Sequence, residues 1–153
     1  MIDAPTIHAS VVLVAPCAIL IRGPSGSGKS RLALNLLQAA SSGPLLFARL
    51  VADDRVCVQA AHGRLIARPP DSLAGLLEVR GLGIHRLPYE PLAVVSWVVD
   101  LDAVTPMRLP DQNAAQTTIS GVSLRRMAVP AGCDPVPVVL AALTLRHHLC
   151  ATD

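Results

Sequence analysis

Residues 23–30, GPSGSGKS, constrain this chain more than any others. Three glycines, three serines and a proline part a short apolar run, CAILIR at 17–22, from a leucine-rich one, RLALNLL at 31–37. Such a segment forms neither strand nor helix by itself, so its place between two regular elements implies a bound group. Gly23, Gly28, Lys29 and Ser30 meet the spacing G-x-x-x-x-G-K-S, with a strand predicted before it and an amphipathic helix after it. A loop of this kind curls so that successive N–H groups point at phosphate oxygens, and the following helix adds the partial positive charge of its N-terminus. Gly23, Pro24, Ser25, Gly26, Ser27 and Gly28 would form the cradle, Lys29 would reach the terminal phosphates, and the Ser30 hydroxyl would ligate Mg²⁺. Lys29 is also the sole lysine among thirteen Lys and Arg residues. The loop reads as a site for the phosphates of a nucleotide such as ATP.

The flanks agree. Residues 6–15 are rich in Ile and Val and end at Pro16, which predicts a strand, and 17–22 predicts a second, buried one. Leu32, Ala33, Leu36, Leu37 and Ala40 share one helical face, while Arg31, Asn35 and Gln38 share the other, and SSGP at 41–44 stops that helix. Residues 45–52 form another apolar run. Residues 56–60 and 63–67 predict a hairpin turning at His62-Gly63. LLEVRGLGIHRL reads as one strand, with Gly81 and Gly83 marking a bulge or a close backbone approach. LAVVSWVVDL suits an inner strand, 103–121 reads as loop, and 135–149 predicts a closing helix.

Composition sets the limits. At 153 residues, one domain over 1–153 is the simplest organisation, and with 52% apolar but only 2% aromatic residues its core must be Val, Leu, Ile and Ala. The net charge of +2, without a Lys/Arg run, argues against nucleic acid as a partner. Residues 11–21 are broken by Pro16 and too short to span a bilayer, and the first eight residues lack the Lys or Arg of a secretory signal. A cytoplasmic protein is expected. Cys17, Cys57, Cys133 and Cys150 are scattered without metal-ligand spacing and read as buried thiols.

A nucleotide loop does not name a reaction, so the carboxylates must. Asp53 and Asp54 end an apolar run, where side chains emerge at a strand's carboxyl end. One can hold Mg²⁺, directly or through water, and the other can orient an attacking hydroxyl. Glu78 and Arg80 alternate on one face if their segment is a strand, suited to a metal and to developing phosphoryl charge, or simply to an exposed ion pair.

In this order, GPSGSGKS, LVADDRV and LEVRGLGIHRL resemble the phosphate loop, acidic motif and family signature of HPr kinase/phosphorylase, the bacterial enzyme that modifies a serine of the phosphocarrier protein HPr. The signature is the specific match, since phosphate loops are common. The resemblance implies an α/β phosphate-loop kinase domain with a mixed sheet like that of phosphoenolpyruvate carboxykinase. It implies Mg²⁺-dependent transfer from ATP to an HPr serine, and a hexamer. Residue by residue, His8 in TIHASVV looks like the histidine that supports catalysis, and Asp54 like the group that takes the serine proton. Glu78 looks like a second Mg²⁺ ligand beside Ser30 and Asp53, and Arg108 in TPMRLPD like a catalytic arginine. The family's amino-terminal domain has no counterpart, which suggests a stand-alone catalytic domain. The basic motif associated with phosphorolysis is not matched near RRMAVPAGCDPVPVV, so a weak reverse reaction is expected. Two rivals use the same loop: a small-molecule kinase or phosphohydrolase, and a nucleotide-sensing module with little turnover.

Overall fold

A computed structural model describes residues 5–103 and 115–145, so Arg108 and Cys150 lie outside the described residues. The first strand expectation resolves into two strands, Thr6–His8 (β1) and Ser10–Val14 (β2), separated at Ala9. A tight turn through Ala15 and Pro16 leads into Cys17–Arg22 (β3), whose bounds match the expectation to the residue. After the glycine loop comes the helix Lys29–Ser42 (α1), closed at Gly43, whose φ of 124° suits a residue without Cβ.

Arg49–Ala52 (β4), Arg55–Ala61 (β5) and Arg64–Arg68 (β6) follow. The β5–β6 hairpin turns at His62 and Gly63, both with positive φ, as a two-residue turn between twisted strands requires. The segment read as one strand is instead a separate hairpin, Leu76–Val79 (β7) with Gly83–Arg86 (β8). Leu82 N–H donates to the Val79 carbonyl across its turn. An added Cβ at Gly81 or Gly83 would meet no atom within 4 Å, but both have φ of 88°. Backbone conformation, not close approach, calls for glycine there.

Ala93–Ala103 (β9) is the inner strand expected. The stretch read as loop contains Gln116–Ile119 (β10), and Val122–Pro130 (β11) precedes the closing helix Pro135–Leu145 (α2). Nine of the described strands form one mixed sheet in the order β1-β5-β6-β9-β3-β2-β4, with β11 also on β9 and β10 on β11. β9 lies parallel to β3 along one edge. Its other edge is shared: residues 93–95 pair antiparallel with β6, and residues 97–103 pair parallel with β11. This branching curls the sheet and gives it two apolar faces. Inside the curl, Val11, Leu20, Val51, Val56, Leu65, Val98 and Leu124 pack together. On the outer face, Val12, Ile19, Ile21, Trp97 and Val99 pack against Leu32, Ala33 and Leu36 of α1 and Val139 of α2.

The alternation of β3 sets both layers, with Ala18 and Leu20 facing inward and Ile19 and Ile21 facing α1. Because β3 is buried along nearly its whole length, the loop that follows starts from a fixed point. The cysteine expectation needs correction. Cys17 is disulfide-bonded, Cys57 is a half-buried free thiol and Cys133 an exposed one. No described helix is long and apolar enough to cross a membrane.

Candidate functional site

The loop after β3 folds back on itself, with Ser27 N–H donating to the Pro24 carbonyl. Gly26 and Gly28 take φ of 81° and 98°, where L side chains are strained. At Gly23 the demand is space: an added Cβ would lie 2.5 Å from Ser27 Oγ. Gly28 caps α1 and its carbonyl accepts from Leu32 N–H, so the free N–H groups of the first helical turn open onto the loop.

Lys29, only 7% exposed, donates from Nζ to the Gly23 and Pro24 carbonyls at 2.8 and 3.1 Å. These bonds hold the ammonium at the loop's rim, where phosphate oxygens would be its partners. Ser27 Oγ is buried with no hydrogen-bond partner. A buried, unpartnered hydroxyl in a glycine-rich loop that ends at a helix N-terminus and carries one ammonium fits an anionic group bound in the cradle.

The loop opens on a cavity of ≈ 800 Å³, lined by Ser25, Gly26, Ser27, Gly28, Lys29 and Ser30 on one side. His8, Asp54, Glu78 and Arg80 line it as well. Four segments far apart in the chain thus meet at one cavity. Gly23 and Pro24 lie beneath it, contributing carbonyls to Lys29 rather than wall.

The two aspartates part company. Asp53 is 4% exposed: its Oδ1 accepts from Ser30 Oγ and Ser10 Oγ, each at 2.7 Å, and its Oδ2 accepts from Glu78 N–H at 3.3 Å. It stands behind Ser30 rather than in the cavity wall. Asp54 has φ of 69°, a left-handed conformation that Asp tolerates better than most residues. That twist sends its side chain out into the cavity, where Oδ1 lies 3.0 Å from His8 Nε2. β1 sits on β5 with His8 opposite Arg55, which brings the histidine to the acidic turn.

Glu78 and Arg80 do not alternate along one strand. Glu78 is in β7 and Arg80 in the following turn, yet both reach the cavity. The described residues hold no cluster of three or more His, Cys, Asp or Glu side chains arranged for a metal ion. A hydroxyl, one or two carboxylates and bound phosphates, with water completing the shell, is nonetheless the donor set Mg²⁺ takes in kinases. Ser30 and Glu78 line the cavity and fit that pattern, whereas Asp53, expected as a direct ligand, stands behind Ser30 with both oxygens engaged and would act through it.

Other contributors carried weaker signals. Arg31, Leu34 and Asn35 of α1 also line the cavity, so much of the helix's polar face looks onto the site rather than onto bulk water. Asp100, opposite Arg22 in the β9–β3 register, lies near the end of the strand beside the loop strand, three residues before its last residue, Ala103. It accepts from Arg22 Nε and Nη2 at 2.7 and 2.8 Å and from Arg126 Nε. Burial pushes the Asp100 carboxyl up, but hydrogen bonds and charge from Arg22 and Arg126 outweigh that and hold it below the usual carboxylate range.

The family model described as HPr Serine kinase C-terminal domain matches residues 1–88. The chain belongs to this family. It is 41% identical over 98 residues to an HPr kinase/phosphorylase of Clostridium tetani, an overlap of 64% of this chain and 29% of that one. A Limosilactobacillus reuteri HPr kinase/phosphorylase is 34% identical over 137 residues, covering 82% of this chain and 40% of the relative. The chain therefore spans less than half the length of these curated relatives. The solved Hpr(Ser) kinase/phosphatase of Coxiella burnetii superposes with a TM-score of 0.74 at 23% identity, covering 95% of this chain and 97% of that one. That likeness establishes the fold.

Proposed function

We propose that this chain is a cytoplasmic catalytic domain that transfers a phosphoryl group from ATP, with Mg²⁺, to a serine hydroxyl of an HPr-type phosphocarrier protein. One observation carries the reading: the phosphate cradle and the His8–Asp54 pair face the same cavity, so both ends of a transfer have a place. Family membership and the names of the relatives support the choice of acceptor.

In this reading the loop N–H groups of residues 25–30 and Lys29 Nζ bind the nucleotide phosphates. Bound Mg²⁺ would supply charge neutralisation, held by Ser30 and Glu78, with Asp53 orienting the Ser30 hydroxyl from behind. Asp54 accepts the proton of the serine hydroxyl as the serine oxygen bonds to the γ-phosphorus and the bond from that phosphorus to ADP breaks, releasing ADP, and His8 holds the carboxylate in position. Arg80 faces the negative charge that gathers on the phosphoryl oxygens. The loose transition state asks mainly for positioning and charge, which a site of fixed backbone groups and a few ionic side chains can supply. Self-association, as a hexamer in the pattern the resemblance implies, belongs to the same proposal.

The test is transfer of label from ATP to purified HPr-type carriers. We expect Mg²⁺-dependent phosphoserine on the carrier, and Lys29→Ala should reduce both ATP binding and transfer by at least about a hundredfold, roughly 3 kcal/mol. Wild-type ATP turnover on small metabolites with none on any carrier would overturn the reading.

A further inference from the structure

We infer that Ser10 is a positioning residue for the metal side of the site, acting through Asp53; the inference rests on the Mg²⁺–nucleotide reading above. Ser10 opens β2, whose sequence is otherwise Val and Leu, and it is 0% exposed. On the strand's alternation it shares a face with Val12, which packs in the layer beneath α1. An aliphatic residue at that position would add buried apolar area, whereas a buried hydroxyl without a partner is destabilising. The hydroxyl therefore calls for an explanation, and its partner is Asp53 Oδ1 at 2.7 Å.

That same oxygen accepts from Ser30 Oγ. With Glu78 N–H on Oδ2, the carboxylate is gripped from three elements: β2, α1 and β7. The consequence for Ser30 is directional. Its single hydroxyl proton points back at Asp53, so its lone pairs are left for a cation at the cavity, of which Ser30 is a wall. Without the Ser10 donor, the Asp53 carboxylate loses one of its three holds and can rock about its terminal torsion, carrying the Ser30 hydroxyl with it. Mg²⁺ demands near-octahedral geometry at short range, so a hydroxyl free to wander binds it less well. Partners behind metal ligands commonly matter in this way. Ser10 itself touches neither phosphate nor acceptor.

The experiment follows binding of N-methylanthraniloyl-ATP to the full chain by fluorescence over a Mg²⁺ titration, with the melting temperature of nucleotide-free protein measured alongside. Ser10→Ala and Ser10→Cys, the latter of nearly the same shape but a weak donor, should each need about tenfold more Mg²⁺ for half-maximal binding. Ser10→Thr, which keeps the hydroxyl, should stay close to wild type. A wild-type Mg²⁺ requirement in Ser10→Cys overturns the inference, whatever the melting temperatures. So does an equal rise in Ser10→Thr, which would reduce Ser10 to a packing role. Should Ser10→Ala fail to fold, the cysteine and threonine variants decide. A wild-type protein that couples Mg²⁺ to nucleotide binding but phosphorylates no carrier would sink the proposed function and leave this inference standing.

Discussion

At the scale of single residues, two carboxylates show how environment separates identical chemistry. Asp53 and Asp54 are adjacent in sequence, yet one is buried behind Ser30 and the other stands in the cavity beside His8. The positive φ of Asp54 makes the difference. Asp100 offers a test at the same scale. Its folded pKa is lowered, so its contribution to stability is present above the unfolded value of about 3.9 and is lost as pH falls through the folded value. Asp100→Asn should destabilise the protein at pH 7 by about 2 kcal/mol, because two partly buried guanidinium groups lose their counter-charge. The gap between variant and wild type should narrow below about pH 4. Chemical denaturation across a pH series measures it, and a pH-independent gap would contradict the account.

Among elements, the β7–β8 hairpin carries Glu78 and Arg80 to the cavity and depends on its glycine turn. Gly81→Ala meets no steric obstacle but must hold a left-handed conformation, so it should destabilise by about 1 kcal/mol, or about 2–4 °C in melting temperature. Because the strain falls on the element that presents Glu78, turnover should drop by more than that loss of stability implies; calorimetry and kinetics together check it. The same hairpin shows the limits of reading sequence. Glycines at 81 and 83 fit a bulged strand as well as a turn, and the antiparallel β7–β8 pairing with the Leu82–Val79 hydrogen bond distinguishes them. β3 was legible to its ends because Pro16 and Gly23 bound an unbroken apolar run. β11 was not, since its partner β9 is distant and its own Arg125 and Arg126 hide the apolar pattern. Within the site, the loop, the acidic pair and Glu78 were visible as motifs. Ser10 and the Arg22–Asp100 pair were not, because their meaning lies in partners 43 and 78 residues away.

For the whole molecule, the curled sheet has to bring β1, the loop, the acidic turn and the hairpin to one place, and its two apolar layers hold them there. Charge across this frame bears on the reverse reaction. Phosphorolysis places inorganic phosphate beside a phosphoserine, and two anions a few ångströms apart repel by about 4 kcal/mol at an intermediate dielectric. Added cations must offset that, yet Arg126 is bound to Asp100, and neither it nor Arg125 lines the cavity. Phosphate-dependent release from the serine-phosphorylated carrier should therefore be at least about tenfold slower than the forward transfer, roughly 1.4 kcal/mol higher in barrier, when pyrophosphate is assayed at low phosphate. Equal rates would show that other groups supply the charge. The central claim, that cradle and acceptor group serve one transfer, is tested most directly by comparing Asp54→Asn with wild type in one preparation, following labelled transfer to an HPr-type carrier and ATP affinity together. The account predicts that transfer falls by about a thousandfold, or 4 kcal/mol, while ATP affinity stays within about threefold of wild type. Wild-type transfer by Asp54→Asn, or a matching collapse of ATP affinity, would contradict it.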